Sequence, residues 1–365
     1  MSAGAHDIIF LRYMHMKILY SFNKHGYEAD SWEKGIRAAS DDKVTFIPFN
    51  HEPFLKPKLY ITAVNLDRLY QARDPRLMQM YDEFEECISK NHADAIIVIN
   101  CPPYHPDFLR RLKVYKVLYS TDDPGATYMR NIPYLHAYNH VFYLDPDYSE
   151  DMNMSEKMRF CGMKNENWIP LGVFDEDYDT TKTEDTILEQ ERDIDIIYVG
   201  APYIQKLELL AKVKKAFGRN CRLYGRFRLP WNIYYNFRYV WPGWMRTVSF
   251  PERTRLHQRA KIGFNVHWNK HGLGNQRLYY LPANGVMQIC DSQQYLGKVF
   301  EVGKEVETYR SADELIEKIR YYLAHEDERK KIALRGYGRT MEEYHFSDIL
   351  RKSADYIMGG MTRGE

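Results

Sequence analysis

Residues 261–291 read KIGFNVHWNKHGLGNQRLYYLPANGVMQICD, and this stretch decides the fold. Residues 262–267 are apolar and bounded by polar ones, the pattern of a buried strand. Residues 269–274 form a polar loop with Asn269, Lys270, His271 and two glycines. Asn275 suits the cap of a following helix, and Gly285 suits its end. Residues 286–290 then form a second buried strand. The unit is strand, loop, helix, strand. Its loop favours an anion, because the first backbone N–H groups of a helix are unpaired and the dipole is positive there. Lys270 and Arg277 add formal charge.

Upstream, residues 194–199 form a strand closed by Gly200, and a helix over 205–217 follows. Residues 221–225 are a strand and 254–260 a helix. In the N-terminal half, strands are predicted at 17–22, 44–48, 94–100, 114–120 and 141–144, with helices at 29–39 and 77–90. The run 94–100 (DAIIVIN) is nearly all apolar, as expected of a parallel strand covered on both faces. Residues 168–173 read as a short strand. Residues 174–192 are acidic, threonine-rich and aperiodic, and read as an interdomain linker. Residues 311–323, 326–337 and 346–358 are amphipathic helices. The alternation predicts an α/β protein with mainly parallel sheets. The first strand–loop–helix carries Gly26 but no G-x-G-x-x-G.

The chain has 365 residues, 44% of them hydrophobic, enough for two domains with cores of their own. Lys and Arg number 51 against 50 Asp and Glu, so no global attraction to nucleic acid or membrane follows. Cysteines stand at 87, 101, 161, 221 and 290, an odd count with no C-x-x-C. That argues for a reducing compartment and against a zinc ribbon. No apolar run reaches the length of about 18 residues that spans a membrane. The first fifteen residues lack the pattern of a leader, and the expected location is the cytoplasm.

The pattern Asn-x-Arg followed by an aromatic residue at 275–279, then LPANGVMQICD at 281–291 and FEVGKEVETYRSADELIEKIRYYLAHEDERKKIALRGYGRTMEEYH at 300–345, resembles the C-terminal half of CgeB-type glycosyltransferases. The similarity runs over about residues 253–350. It implies two Rossmann-like domains of the GT-B type facing across a cleft, with a nucleotide-sugar donor and no cofactor beyond it. The implied division is an acceptor domain at 1–172, a donor domain at 173–342, and a helix at 343–365 that crosses back to the first domain. Lys206 falls where that family tends to place a basic residue. Tyr280 stands where the family commonly has Glu, and Gly272 where related retaining enzymes have another. With both carboxylates missing, an inactive nucleotide-sugar binder is one alternative.

Without a metal, charge building on a departing diphosphate must be absorbed by helix N-termini and cations. The candidate donor-binding residues are Gly200, Lys206, Arg226, His267, Lys270, Asn275, Arg277, Tyr280, Asn284 and Gly285. Arg277 leads, because its planar fork can hold two phosphate oxygens; the competing reading is a salt bridge to the acidic C-terminal helices. For Lys206 the competing reading is a solvated helix face, and for His267 a structural hydrogen bond. Asn284 and Gly285 would let backbone approach a ligand closely. Asp122 and Asp123, in a loop at a strand end, are candidate catalytic bases on an acceptor hydroxyl, or simply a turn. Asp145-Pro146-Asp147 matches the D-x-D of metal-dependent sugar transferases, but 175–177 and 193–195 match it too, and no metal is expected. Residues 219–255 interleave Arg with Trp, Tyr and Phe. That composition keeps open a DNA-modifying transferase or a nucleic-acid-binding protein. The acceptor is open among glycan, small molecule, protein and DNA, and the transferred sugar between hexose and pentose.

Overall fold

The computed structural model describes residues 15–55, 63–100, 103–121, 124–144, 152–202, 204–225, 237, 245–267 and 275–362. The chain forms two compact units, residues 1–170 with 346–365, and residues 171–345.

The first unit holds a six-stranded parallel sheet in the order β2-β1-β3-β4-β5-β6. Its strands are β1 (Met16–Phe22), β2 (Val44–Asn50), β3 (Ala95–Ile99), β4 (Tyr115–Ser120), β5 (His140–Tyr143) and β6 (Asn165–Trp168). Every residue of β3, AIIVI, is buried, as helices on both faces of a central parallel strand require. The helices are α1 (Gly26–Ala38), α2 (Ala63–Gln71), α3 (Pro75–Asn91), α4 (Pro106–Arg111), α5 (Pro124–Arg130), α6 (Met154–Phe160) and, from the chain's end, α12 (Phe346–Thr362). Asp74 caps α3 through the N–H groups of Arg76 and Leu77. The strand expected at 168–173 lies instead at 165–168. Its residues, NENW, are polar because β6 is the edge strand and pairs only with β5, so hydropathy could not find it.

The second unit holds a five-stranded parallel sheet in the order β11-β10-β9-β7-β8. Its strands are β7 (Ile194–Val199), β8 (Cys221–Tyr224), β9 (Ala260–Asn265), β10 (Met287–Asp291) and β11 (Glu307–Tyr309). Its helices are α7 (Ile204–Phe217), α8 (Phe250–Gln258), α9 (Arg277–Ala283), α10 (Ala312–Ala324) and α11 (Glu326–Glu343). Strand order reverses between β7 and β9, and ligands of such sheets gather outside the carboxyl ends of the strands at that point.

The segment 174–192 runs mostly at the surface, as its composition suggested, but it is anchored to the second unit at a few points. Asp177 is buried, accepts the Phe174 N–H at 3.1 Å and pairs with Arg253. Ile187 is buried as well. A few anchors hold an otherwise polar segment against the second core, and periodicity does not register anchors so sparse.

Candidate active site at the carboxyl ends of the second sheet

Val199, Asn265 and Asp291 are the last residues of β7, β9 and β10. Parallel pairing brings these three ends to one edge of the sheet. Arg277, the first residue of α9, reaches into that edge. Its Nε donates to the Val199 carbonyl at 2.8 Å and its Nη1 to Asn265 Oδ1 at 2.9 Å. Its guanidinium lies 4.4 Å from the centre of the Tyr198 ring. A Cβ on Gly200 would sit 1.8 Å from Arg277 Nη2, so only glycine leaves room for the arginine. Arg277 is 7% exposed. It makes neither the open fork nor the salt bridge to the C-terminal helices that its sequence allowed: a carbonyl, an amide and a ring hold it.

Asn275 precedes α9 and caps it, its Oδ1 accepting the Leu278 N–H at 3.2 Å. The same side chain forms a reciprocal amide pair with Asn265, at 3.0 and 3.1 Å. Tyr309 at the end of β11 donates to the Asn265 carbonyl at 3.0 Å. Asn265, Tyr198 and Tyr309 therefore set the arginine, and none of them carried a signal in the sequence.

Lys206 on α7 is 6% exposed rather than on a solvated face. Burial pushes its ammonium down to about 7; Arg277 repels it further and Asp291 partly compensates. The site thus buries an arginine and a lysine together, and Asp291 acts on both.

Asp291 is the hub of the neighbouring cluster. It accepts the His267 backbone N–H at 3.0 and 3.1 Å, His267 Nδ1 at 2.8 Å and Gln293 Nε2 at 2.7 Å. Burial alone would raise its carboxyl, but His267 and Gln293 outweigh it, and the group lies below the usual carboxylate range. Cys290 Sγ lies 3.8 Å from His267 Nδ1 and 3.5 Å from Asp291 Oδ1. These three donor atoms are close enough to share a cation. Against that, His267 Nδ1 already donates to Asp291 at 2.8 Å, so in this arrangement it does not present a lone pair to a metal. A hard cation would find one carboxylate, already saturated with N–H donors. The donor set fits a hydrogen-bonded cluster better than a metal site.

Asn284 and Gly285 lie elsewhere. They precede β10, whereas Asp291 ends it, so they sit at the opposite edge of the sheet. Asn284 Nδ2 donates to the carbonyls of Asp177 and Tyr280, each at 2.8 Å. Gly285 has φ +64° and a Cβ there would lie 2.7 Å from Ile187 and Arg192. Both are structural, because the chain must turn sharply from α9 into β10. The Tyr280 ring is taken by Arg253 at 4.4 Å and by His257, stacked at 5.0 Å, and its hydroxyl meets Arg277, so it is not open to a ribose. Asp122, Asp123, Arg226 and Lys270 lie outside the described residues, as do Asp145 and Asp147.

In the first unit, the carboxyl ends carry a polar network. Ser21 Oγ lies 2.9 Å from His51 Nδ1 and 2.6 Å from the Tyr104 hydroxyl. Burial pushes the His51 imidazole down to about 3, so it stays neutral. Asn100, with φ 54°, closes β3 and pairs its side chain with Thr121. At the edge of the second sheet, Arg222, Arg246, Arg255 and Arg259 surround a cavity of about 410 Å³ with Tyr224 and Ser249.

Among the described residues no helix is long and apolar enough to cross a membrane. No curated protein matches the chain in sequence. Among solved structures, HepE from Anabaena, determined with UDP and glucose, matches with a TM-score of 0.61 at 11% identity, over 94% of this chain and 100% of its own. Sucrose-phosphate synthase from Thermosynechococcus elongatus matches with a TM-score of 0.61 at 12% identity, over 96% and 98%. A glycosyltransferase from Rickettsia africae matches with a TM-score of 0.61 at 12% identity, over 96% and 99%. At such identities the likeness is one of fold, and that fold is GT-B: two α/β units, each around a parallel sheet. Residues 205–355, which include Lys206 and the whole stretch from β9 to β10, match the model of a family described as glycosyl transferase-like.

Proposed function

We propose that this protein is a metal-independent glycosyltransferase of the CgeB type. It moves a hexose or pentose from a nucleoside-diphosphate sugar, bound by residues 171–345, to a hydroxyl acceptor bound by residues 1–170. One observation carries the reading: Lys206 and Arg277 are buried together at the strand-order reversal, with Asp291 as their compensating charge. Arg277 is charged there, and an anion bound beside Lys206 would favour the ammonium form, so the pair offers two cations where solvent cannot screen them. A diphosphate is the anion of matching charge. As the acceptor oxygen bonds to the anomeric carbon, the bond to the diphosphate oxygen breaks, and its electron pair moves onto the leaving group. Fixed cations stabilise that charge where it develops. The acceptor proton leaves to a base, for which Asp122 and Asp123 remain the candidates. The UDP-glucose complex of Anabaena HepE, a protein of the same fold, supports a nucleotide-sugar as donor.

Calorimetric titration with UDP, GDP and ADP in the presence of EDTA tests this. One of the three is expected to bind, and Lys206→Met to weaken it about 10- to 100-fold, the worth of one charge-assisted hydrogen bond. Unchanged affinity in Lys206→Met would remove the diphosphate from this site.

In a second reading the acceptor is DNA, held at the 410 Å³ cavity by four arginines, of which Arg222 and Arg259 now pair with Asp193 and Arg246 with Glu252, a residue that lines the same cavity. DNA should then bind with affinity falling steeply as salt rises, and Arg222→Ala with Arg259→Ala should flatten that slope. No retarded DNA at low salt would eliminate this reading.

A further inference from the structure

Beside Lys206 and Arg277 are two buried polar atoms of the opposite kind. His267 Nε2 and Gln293 Oε1 have no hydrogen-bond partner among the described residues. The His267 side chain is 3% exposed, and Gln293 is 7% exposed. Asp291 fixes how both face. Its Oδ1 takes the proton on His267 Nδ1 at 2.8 Å, which leaves Nε2 as the ring's outward atom. Its Oδ2 takes the Gln293 amide N–H at 2.7 Å, which leaves Oε1 as that side chain's outward atom. A carboxylate only accepts, so neither the imidazole nor the amide can turn over without losing its bond.

An orphaned buried acceptor costs about 1–3 kcal/mol, so such an atom indicates a missing partner. The chemistry of the partner follows from the atoms. Gln293 Oε1 can only accept, so its partner must donate. His267 Nε2 with the proton on Nδ1 also accepts. The diphosphate of a nucleotide-sugar and a carboxylate carry no proton at neutral pH, so neither can serve Gln293 Oε1. A hydroxyl group both donates and accepts, so it satisfies both atoms. The diphosphate belongs to Lys206 and Arg277, and the groups bonded through Asp291 take something uncharged and rich in hydroxyls.

We propose that His267 Nε2 and Gln293 Oε1, oriented by Asp291, form the subsite that reads hydroxyl groups of the donor's sugar ring. Asp291 is then a positioning residue, and His267 and Gln293 determine sugar specificity. This rests on the donor reading above. The two can fail separately.

The test uses the full chain. UDP, GDP and ADP are titrated first, and the glucose conjugate of the nucleotide that binds is then compared with its 2-, 3-, 4- and 6-deoxyfluoro analogues. Fluorine keeps the size of the hydroxyl but cannot donate. At least one analogue is expected to lose about tenfold in affinity against the wild type, the worth of one such bond. That same analogue should lose nothing further in Gln293→Met or His267→Phe, while both variants keep wild-type affinity for the free nucleoside diphosphate. The retained diphosphate affinity shows that the variants are folded. If every analogue binds the wild type as glucose does, or the loss persists in both variants, the subsite is overturned and the diphosphate site stands. If no nucleoside diphosphate binds the wild type, the donor reading falls and takes the subsite with it.

Discussion

At Lys206, anion binding and proton binding are one event. In the free protein burial brings the ammonium down to about 7, so at pH 8 most molecules hold it neutral. A diphosphate favours the charged form and pulls a proton from the buffer. Titrations at pH 8 in buffers of different ionisation enthalpy should report uptake of up to one proton, and Lys206→Met should abolish the buffer dependence. His257 works in the opposite direction. It is fully buried, both ring nitrogens lack partners among the described residues, and burial, then Arg253 and Arg277, hold it neutral well below its ordinary range. The unfolded chain takes up a proton on this residue below about pH 6.5, whereas the folded chain does not. The unfolded state therefore binds more protons there, and stability falls as pH drops below that value. The wild type is expected to lose denaturation midpoint between pH 6.5 and 5 more steeply than His257→Phe; parallel slopes would refute this. Gly200 is a third residue with a measurable job. Gly200→Ala should cost about 1–3 kcal/mol through overpacking against Arg277. The loss should shrink in the Arg277→Ala background, because the two changes share one space.

At the scale of elements, helix α12 shows how a terminal segment becomes part of a distant core. Phe346 at its start packs edge-on against Trp32 of α1 at 5.1 Å and against Tyr20 of β1 at 6.4 Å. Trp32 also stacks on Phe22 at 6.0 Å. Phe346→Ala would empty a buried aromatic site, at a cost of about 3–5 kcal/mol. Chemical denaturation should show that loss as a lowered midpoint, and a change below about 1 kcal/mol would show that the helix end is dispensable. The amphipathic pattern of 346–358 was legible in sequence, and the helix runs on to Thr362. Its partner was implied only by the family resemblance, because nothing in an apolar stripe says which surface it covers.

On the scale of the whole chain, both sheets follow from hydrophobic runs spaced by helices, and nine of the strands lie where such runs were read. The two that escaped, β6 and β11, are short edge strands. Edge strands bury less, so polar residues are tolerated and the alternation that marks a strand fades. The candidate site was legible in part. Lys206, His267, Asn275 and Arg277 do gather at one edge of the second sheet, together with Gly200. Tyr280 meets Arg277 through its hydroxyl, whereas Asn284 and Gly285 do not reach that edge. They share the stretch 261–291 with the others, and closeness in sequence overstated closeness in space: five residues of β10 separate the two edges at about 3.3 Å each.

The sequence by itself determined the fold class, the parallel sheets and the polar end of the second one, because apolar period and turn chemistry are local properties. Only the tertiary structure decided what each polar residue does there. It folded Arg277 inward beneath Gly200, buried Lys206 where its charge becomes costly, and turned Asp291 from a strand's last residue into the group that orients His267 and Gln293. Those outcomes depend on distances between strand ends far apart in the chain, and charge, burial and orientation at such a point exist only once the strands are paired.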